Sequence, residues 1–138
     1  MAGYSGTPLP KKLGIKKDFR VAFHNFPPAV SGELKGSLAE CEVLRKPAAP
    51  LDFVMLFTKR RAELSQLLPV YSKLLAPAGM LWVSWPKKGS GVACDMNEND
   101  IREMGLAIGL VDVKVCAVNE VWSGLKFVIP VKDRKRAS

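Results

Sequence analysis

Two runs of the chain are apolar at nearly every position. Leu51-Asp52-Phe53-Val54-Met55-Leu56-Phe57 is interrupted only by Asp52, and Met80 to Trp85 only by Ser84. A half-buried strand alternates polar and apolar side chains, so a run apolar on both parities reads as a strand covered on both faces. Positions 82 and 85 differ by an odd number. Trp82 and Trp85 are therefore expected on opposite sides of the sheet, one under each helix layer. Between the two runs, Leu64, Leu67, Leu68, Tyr71, Leu74 and Leu75 recur at helical spacing and predict one apolar stripe on a helix over 60–76. Pro69 falls inside that helix and would free the carbonyl of Ser65, so a kink or a break is expected there, with Pro77-Ala78-Gly79 as the stop.

The flanking patterns are shorter. Residues 20–25 read as a strand closed by Phe26-Pro27-Pro28, since proline cannot donate to a ladder. Ser31 is the expected N-cap of a short helix carrying Leu34 and Leu38 on one side, weakened by Gly36. Residues 41–44 read as an edge strand. Asn97 and Asp100 form a capping-box pattern ahead of a stripe at Ile101, Met104 and Ile108, with Gly109 in the C′ position. Val111, Val113 and Val115 alternate with Asp112, Lys114 and Cys116, which predicts a strand with its valines on a buried face. Residues 121–130 return as a last strand after a turn at Asn119-Glu120. This order predicts a single-domain, three-layer, Rossmann-like α/β fold: a mainly parallel central sheet, helices on both faces, and a C-terminal antiparallel strand pair. The domain is expected over 18–130, after a flexible basic segment at 1–17 and before a basic tail at 131–138.

The 138 residues suffice for one sound core and not for two domains. No apolar run approaches the ~20 residues that span a bilayer, and the start of the chain lacks a secretion signal's apolar stretch. The three cysteines form no C-x-x-C pair, so a reduced, cytoplasmic protein is the expectation. The net charge of +8 changes this picture less than it promises. Lys11, Lys12, Lys16, Lys17 and Arg20 face only Asp18 at one end, and Lys132, Arg134, Lys135 and Arg136 face only Asp133 at the other. The residues between hold 12 basic and 11 acidic side chains. Such ends solvate the chain or attract nucleic acid weakly and with strong salt dependence.

Candidate chemistry gathers where parallel strands end, because ligands of such sheets sit beyond the carboxyl ends. Three exits qualify: His24-Asn25; Thr58-Lys59-Arg60-Arg61; and Trp85-Pro86-Lys87-Lys88-Gly89-Ser90-Gly91. Lys59, Arg60 and Arg61 stand at a helix start whose dipole is already positive, which a bound phosphate or carboxylate would relieve. The expected ligand site comprises His24, Asn25, Lys59, Arg60, Trp85, Lys87, Lys88, Gly89, Ser90 and Gly91, and it would contact a small anionic molecule or a protein partner. No catalytic residue and no metal ligand set is assigned. His24 is the only histidine, and a Cys–His pair with Cys94 has no support in spacing. Asp95 and Glu98 read as loop and helix-start acids, and Trp122 as a core-covering indole. The cofactor stays unknown. There is no P-loop, and Gly89-Ser90-Gly91-Val92-Ala93-Cys94 places Cys where a dinucleotide motif needs its third glycine.

Three segments carry a resemblance that spans nearly the whole chain: Lys12-Leu13-Gly14-Ile15-Lys16, then Leu81-Trp82-Val83-Ser84-Trp85-Pro86-Lys87-Lys88, then Gly109 to Ala117 with Trp122-Ser123-Gly124-Leu125-Lys126-Phe127. In these the chain resembles the small bacterial proteins grouped as DUF3052, a domain of unknown function. That resemblance implies a bacterial single-domain protein and brings no catalytic residues. The order of elements in the later half also resembles class I methyltransferases, although the glycine-rich methyl-donor loop has no counterpart. The expected function is thus a non-catalytic, ligand-binding Rossmann-like module. The alternatives are a degenerate SAM-dependent methyltransferase-like enzyme and a weak nucleic-acid binder acting through basic tails.

Overall fold

The computed structural model describes residues 7–134. Its strands are β1 (Arg20–His24), β2 (Glu42–Val43), β3 (Leu51–Phe57), β4 (Leu75–Pro86), β5 (Val111–Ala117) and β6 (Trp122–Val128). Its helices are α1 (Leu9–Leu13), α2 (Pro28–Leu38), α3 (Arg61–Ser72) and α4 (Glu98–Ala107), followed by a 3-10 turn at Val131–Asp133. The strands form one sheet in the order β2-β1-β3-β4-β6-β5. The first four run parallel, and β6 lies antiparallel between β4 and β5. The three-layer Rossmann-like architecture is thus as the sequence predicts. One neighbour of β4 differs from the expected run of same-direction strands, because the terminal hairpin folds its second strand inward against β4.

The doubly apolar runs explain the layering. Phe53, Met55 and Trp82 pack under Leu9 and Leu13 of α1 and Val30 and Leu34 of α2. Val54, Leu56 and Trp85 pack on the other face under Leu64, Leu68 and Tyr71 of α3 and Ile101 of α4. The two tryptophans do point to opposite layers. Trp82 is fully buried, and its indole Nε1 donates to the carbonyl of Leu13 at 2.9 Å, tying α1 to the sheet. This corrects the expected division at residue 18. Leu9, Leu13 and Ile15 are buried, so the packed domain includes residues that charge alone assigned to a detached segment. Residues 1–6 and 135–138 of the two expected ends lie outside the described residues.

Other local expectations shift for identifiable reasons. α2 starts at Pro28 rather than after Ser31, since the fixed φ of proline suits the first helical position. α3 runs through Pro69 but ends at Ser72, and Leu75 already belongs to β4. Pro77-Ala78-Gly79, expected to stop the helix, instead lies within β4, where the register jumps from Leu51↔Leu75 to Phe53↔Met80. A Cβ on Gly79 would stand 2.5 Å from the Leu51 carbonyl oxygen, so the close strand approach requires glycine. α4 carries the complete capping box of Asn97 and Asp100. It closes as a Schellman motif, with Leu110 N–H on the Gly105 carbonyl and Gly109 at φ +92°. The valines of β5 are not buried: Val113 is 54% and Val115 45% exposed, because β5 is the outer edge of the sheet. Among the described residues no helix is long and apolar enough to cross a membrane.

Candidate functional site

β1, β3 and β4 run in one direction, so their carboxyl ends open along one rim of the sheet. Antiparallel β6 begins at the same rim, with Trp122 paired to Pro86. The winding reverses between β1 and β3. β1 continues through α2 to β2 on one side, while β3 continues through α3 to β4 on the other, and α2 and α3 pack on opposite faces. Open α/β sheets leave a crevice outside the strand ends at such a switch. A cleft of about 600 Å³ opens there, lined by Asn25, Phe26 and Pro27 after β1, by Thr58, Lys59 and Arg60 after β3, and by Trp122.

Its walls are aromatic and fixed. Phe26 stacks on Phe23 with ring centroids 3.8 Å apart, and Trp122 meets Phe57 edge-on at 5.2 Å. Asn25 adopts a left-handed φ of 56° and donates from Nδ2 to the Phe57 carbonyl at 3.3 Å, joining the exits of β1 and β3. Below it, the hydroxyl of buried Thr58 donates to Glu63 Oε1 at 2.7 Å. Glu63 Oε2 lies 3.6 Å from His24 Nε2, a ring nitrogen that is itself buried with no hydrogen-bond partner. The Thr58 hydrogen bond, helped by the neighbouring His24, holds the Glu63 carboxyl below the ordinary glutamate range against the opposing effect of burial. The cations Lys59 and Arg60 are exposed at the mouth.

Trp85, Lys87, Lys88 and Gly89 line a second cleft, whereas His24, Ser90 and Gly91 are not among the lining residues of either cleft. In the second cleft, the first four face Cys94, Asp95, Asn97 and Asp100 across about 580 Å³. Lys87-Lys88-Gly89-Ser90 is a turn closed by Ser90 N–H on the Lys87 carbonyl, with Gly89 at φ +85°, as a glycine-bearing type II turn requires. Ser90 Oγ accepts the N–H of Val92, and Gly91 also has positive φ. A loop segment at 92–95 separates the two clefts. Asp95 N–H donates to the Lys59 carbonyl at 3.1 Å, and Asp95 Oδ1 accepts the N–H of Arg61 at 2.7 Å. The single basic crevice expected from the sequence is thus divided by a strap.

That strap also corrects the expected anion at the start of α3. The anion is internal: the Asp95 carboxylate occupies the helix N-terminus, and Asp100 pairs with Arg61 at 3.4 Å. Glu98 serves α4, pairing with Arg102 at 2.7 Å. His24 and Cys94 do not pair, since His24 faces Glu63 and the Cys94 thiol donates to the Met96 carbonyl. Sequence reasoning named Thr58 only as part of the exit after β3 and passed over Glu63. Their only signal is a hydroxyl and a carboxylate five positions apart across a strand-to-helix junction. Trp122, taken for core cover, does pack on Phe57 but also walls the cleft. Among the described residues no three His, Cys, Asp or Glu side chains converge as a metal would need.

No protein-family model matches the chain, and no curated protein matches it. Solved structures do. A SAM-dependent methyltransferase from Aquifex aeolicus superposes with a TM-score of 0.66 at 13% identity, over 87% of each chain. A magnesium protoporphyrin IX methyltransferase from Synechocystis with bound SAH gives 0.59 at 13% identity, over 88% of this chain and 78% of that one. A TehB-like SAM-dependent methyltransferase from Corynebacterium glutamicum gives 0.58 at 9%, over 94% and 91%. At these identities the likeness establishes a methyltransferase-like Rossmann fold and no activity.

Proposed function

We propose that this chain is a non-catalytic Rossmann-like module that binds a small anionic molecule in the cleft between the exits of β1 and β3. The observation that carries this reading is the position of that cleft at the winding reversal, with Lys59 and Arg60 at its mouth. The anionic group meets the two cations through charge-assisted hydrogen bonds, and a flat portion of the ligand lies between Phe26 and Trp122. Lys87 and Lys88 form a secondary contact beyond the strap. The turn after β1 supports binding without chemistry on a nucleotide-type cofactor. Phe26 is stacked on Phe23, and Pro27 and Pro28 offer no N–H where a gripping loop presents bare backbone.

A thermal-shift panel of adenine nucleotides, NAD, SAM, SAH, benzoate and phosphate tests this. A bound anion at ~100 times its dissociation constant adds roughly 2.7 kcal/mol. Stabilisation by an anionic aromatic, lost in Lys59→Ala/Arg60→Ala, is the expected result; no shift with any member overturns the reading. A second reading, a methyltransferase-like enzyme, is favoured by the structural neighbours and would show as a shift with SAM or SAH alone. We also assign the chain to DUF3052 on the three segments quoted above. A reducing cytoplasm, where Cys41, Cys94 and Cys116 remain thiols, is its proposed location.

A further inference from the structure

On the sheet face opposite α3 and α4, far along the strands from the rim, lysines from separate elements converge. Lys114 of β5 and Lys126 of β6 stand directly opposite one another in the antiparallel register. Like charges so placed repel. The Lys114 ammonium donates to the Lys12 carbonyl at 2.9 Å, at the end of α1. Lys126 Nζ lies 4.0 Å from where a Cβ on Gly14 would stand, in the turn that follows α1. Lys16 follows two residues on, its charge acting on Lys126, and Lys12 reaches across to the Ala117 carbonyl.

The attraction of a helix C-terminus accounts for only part of this gathering. The α1 carbonyls are already taken: Leu13 by Trp82, Lys12 by Lys114, and Pro10 and Lys11 by the N–H groups of the turn. Among the described residues no carboxylate forms an ion pair with Lys16, Lys114 or Lys126. Asp112, the nearest acid along β5, is engaged by Arg102 of α4 on the far side of the sheet. Lys126 is half-buried, and both burial and its two lysine neighbours push its pKa down. Among the described residues Lys16, Lys114 and Lys126 are thus cations without a counter-charge, which costs stability unless an anion completes them.

We infer that Lys16, Lys114 and Lys126 form an oxyanion site that takes a phosphate group, separate from the cleft at the strand ends. Lys114 and Lys126 bring their ammonium groups to the end of α1 and the turn that follows it, with Lys16 two residues beyond that turn's Gly14, and a phosphate offers several oxygens to such donors. Among the described residues no aromatic side chain is exposed beside them for base stacking, so the recognised unit is the phosphate itself.

The test is titration of the full chain with pyrophosphate at constant ionic strength, followed by 1H–15N correlation spectra. Saturable shifts at Gly14, Lys114 and Lys126, without shifts at Lys59 or Arg60, are expected. Lys126→Met is expected to weaken binding by about tenfold or more without lowering the ligand-free melting temperature, because it also removes the repelling pair. Exposed Lys16→Gln gives a second variant that leaves the core untouched and is expected to weaken binding in the same sense. A parallel titration with a single-stranded oligonucleotide identifies the source of the phosphate: tighter binding at the same residues assigns nucleic acid, and none assigns a free phosphorylated compound. Shifts confined to the strand-end cleft, or wild-type affinity retained in both variants, overturn the site. Neither result bears on the cleft's own ligand, which Lys59→Ala/Arg60→Ala addresses.

Discussion

The carboxylate of Asp95 accepts the backbone N–H of Arg61 at 2.7 Å, so the loop leaving β4 caps the helix that leaves β3. The same residue returns its own N–H to Lys59. This cross-connection neutralises a helix start crowded with Lys59, Arg60 and Arg61, and it sets the wall between the two clefts. Asp95→Ala removes the acceptor of the first N–H of α3, a loss on the scale of a capping bond, about 0.5–2 kcal/mol, whereas Asp95→Asn keeps an acceptor oxygen and most of the stability. Chemical denaturation of the two variants beside wild type checks this; equal losses would show that charge, and not capping, is what Asp95 supplies.

Trp82 anchors α1 through its bond to the Leu13 carbonyl. Trp82→Phe leaves that carbonyl unsatisfied, at about 1–3 kcal/mol, and adds the cost of a smaller ring in a fully buried site. Hydrogen exchange is expected to accelerate first in residues 9–15. Uniform acceleration across the sheet would mean that α1 is not separately held.

α4 approaches β6 so closely at Gly105 that an added Cβ would overlap the ring of Phe127, itself fully buried. Gly105→Ala therefore forces the helix outward or the ring off its rotamer, and overpacking of this kind costs roughly 1–3 kcal/mol. A gain from the better helix propensity of alanine would contradict the packing seen here. Thermal melts of the single variant decide it.

Acid stability follows from two depressed carboxyls. Thr58 holds Glu63 low, and Arg102 holds Asp112 low. A folded pKa below the unfolded value stabilises above the unfolded pKa, and the contribution is lost as pH falls through the folded one. Both groups are therefore expected to favour the fold at neutral pH and to cease doing so below the ordinary carboxylate range. Thr58→Val is expected to raise the Glu63 midpoint toward the ordinary value in an NMR titration. An unmoved midpoint would assign the shift to His24 instead.

Much of the architecture was legible because burial on two faces leaves an unambiguous trace. Leu51–Phe57 and Met80–Trp85 gave the central strands, and the odd spacing of Trp82 and Trp85 gave the layers. β5 misled because valine alternation reports β geometry and not position in the sheet, and nothing local says that a strand is outermost. α1 was obscured by flanking lysines, since two buried leucines in five residues are too short a period to stand out. The rim residues were named correctly as neighbours of strand ends, but Asp95 could not be seen as the divider between them. A cap contributed from 34 residues away leaves no spacing signature.

Native mass spectrometry of the purified full chain, beside Lys59→Ala/Arg60→Ala and Lys87→Ala/Lys88→Ala, addresses the ligand cleft most directly. A small-molecule adduct carried by wild type and by the 87/88 variant, and absent from the folded 59/60 variant, is the predicted result. An adduct that survives the 59/60 change, or one lost only from the 87/88 variant, would place the ligand elsewhere and contradict the account.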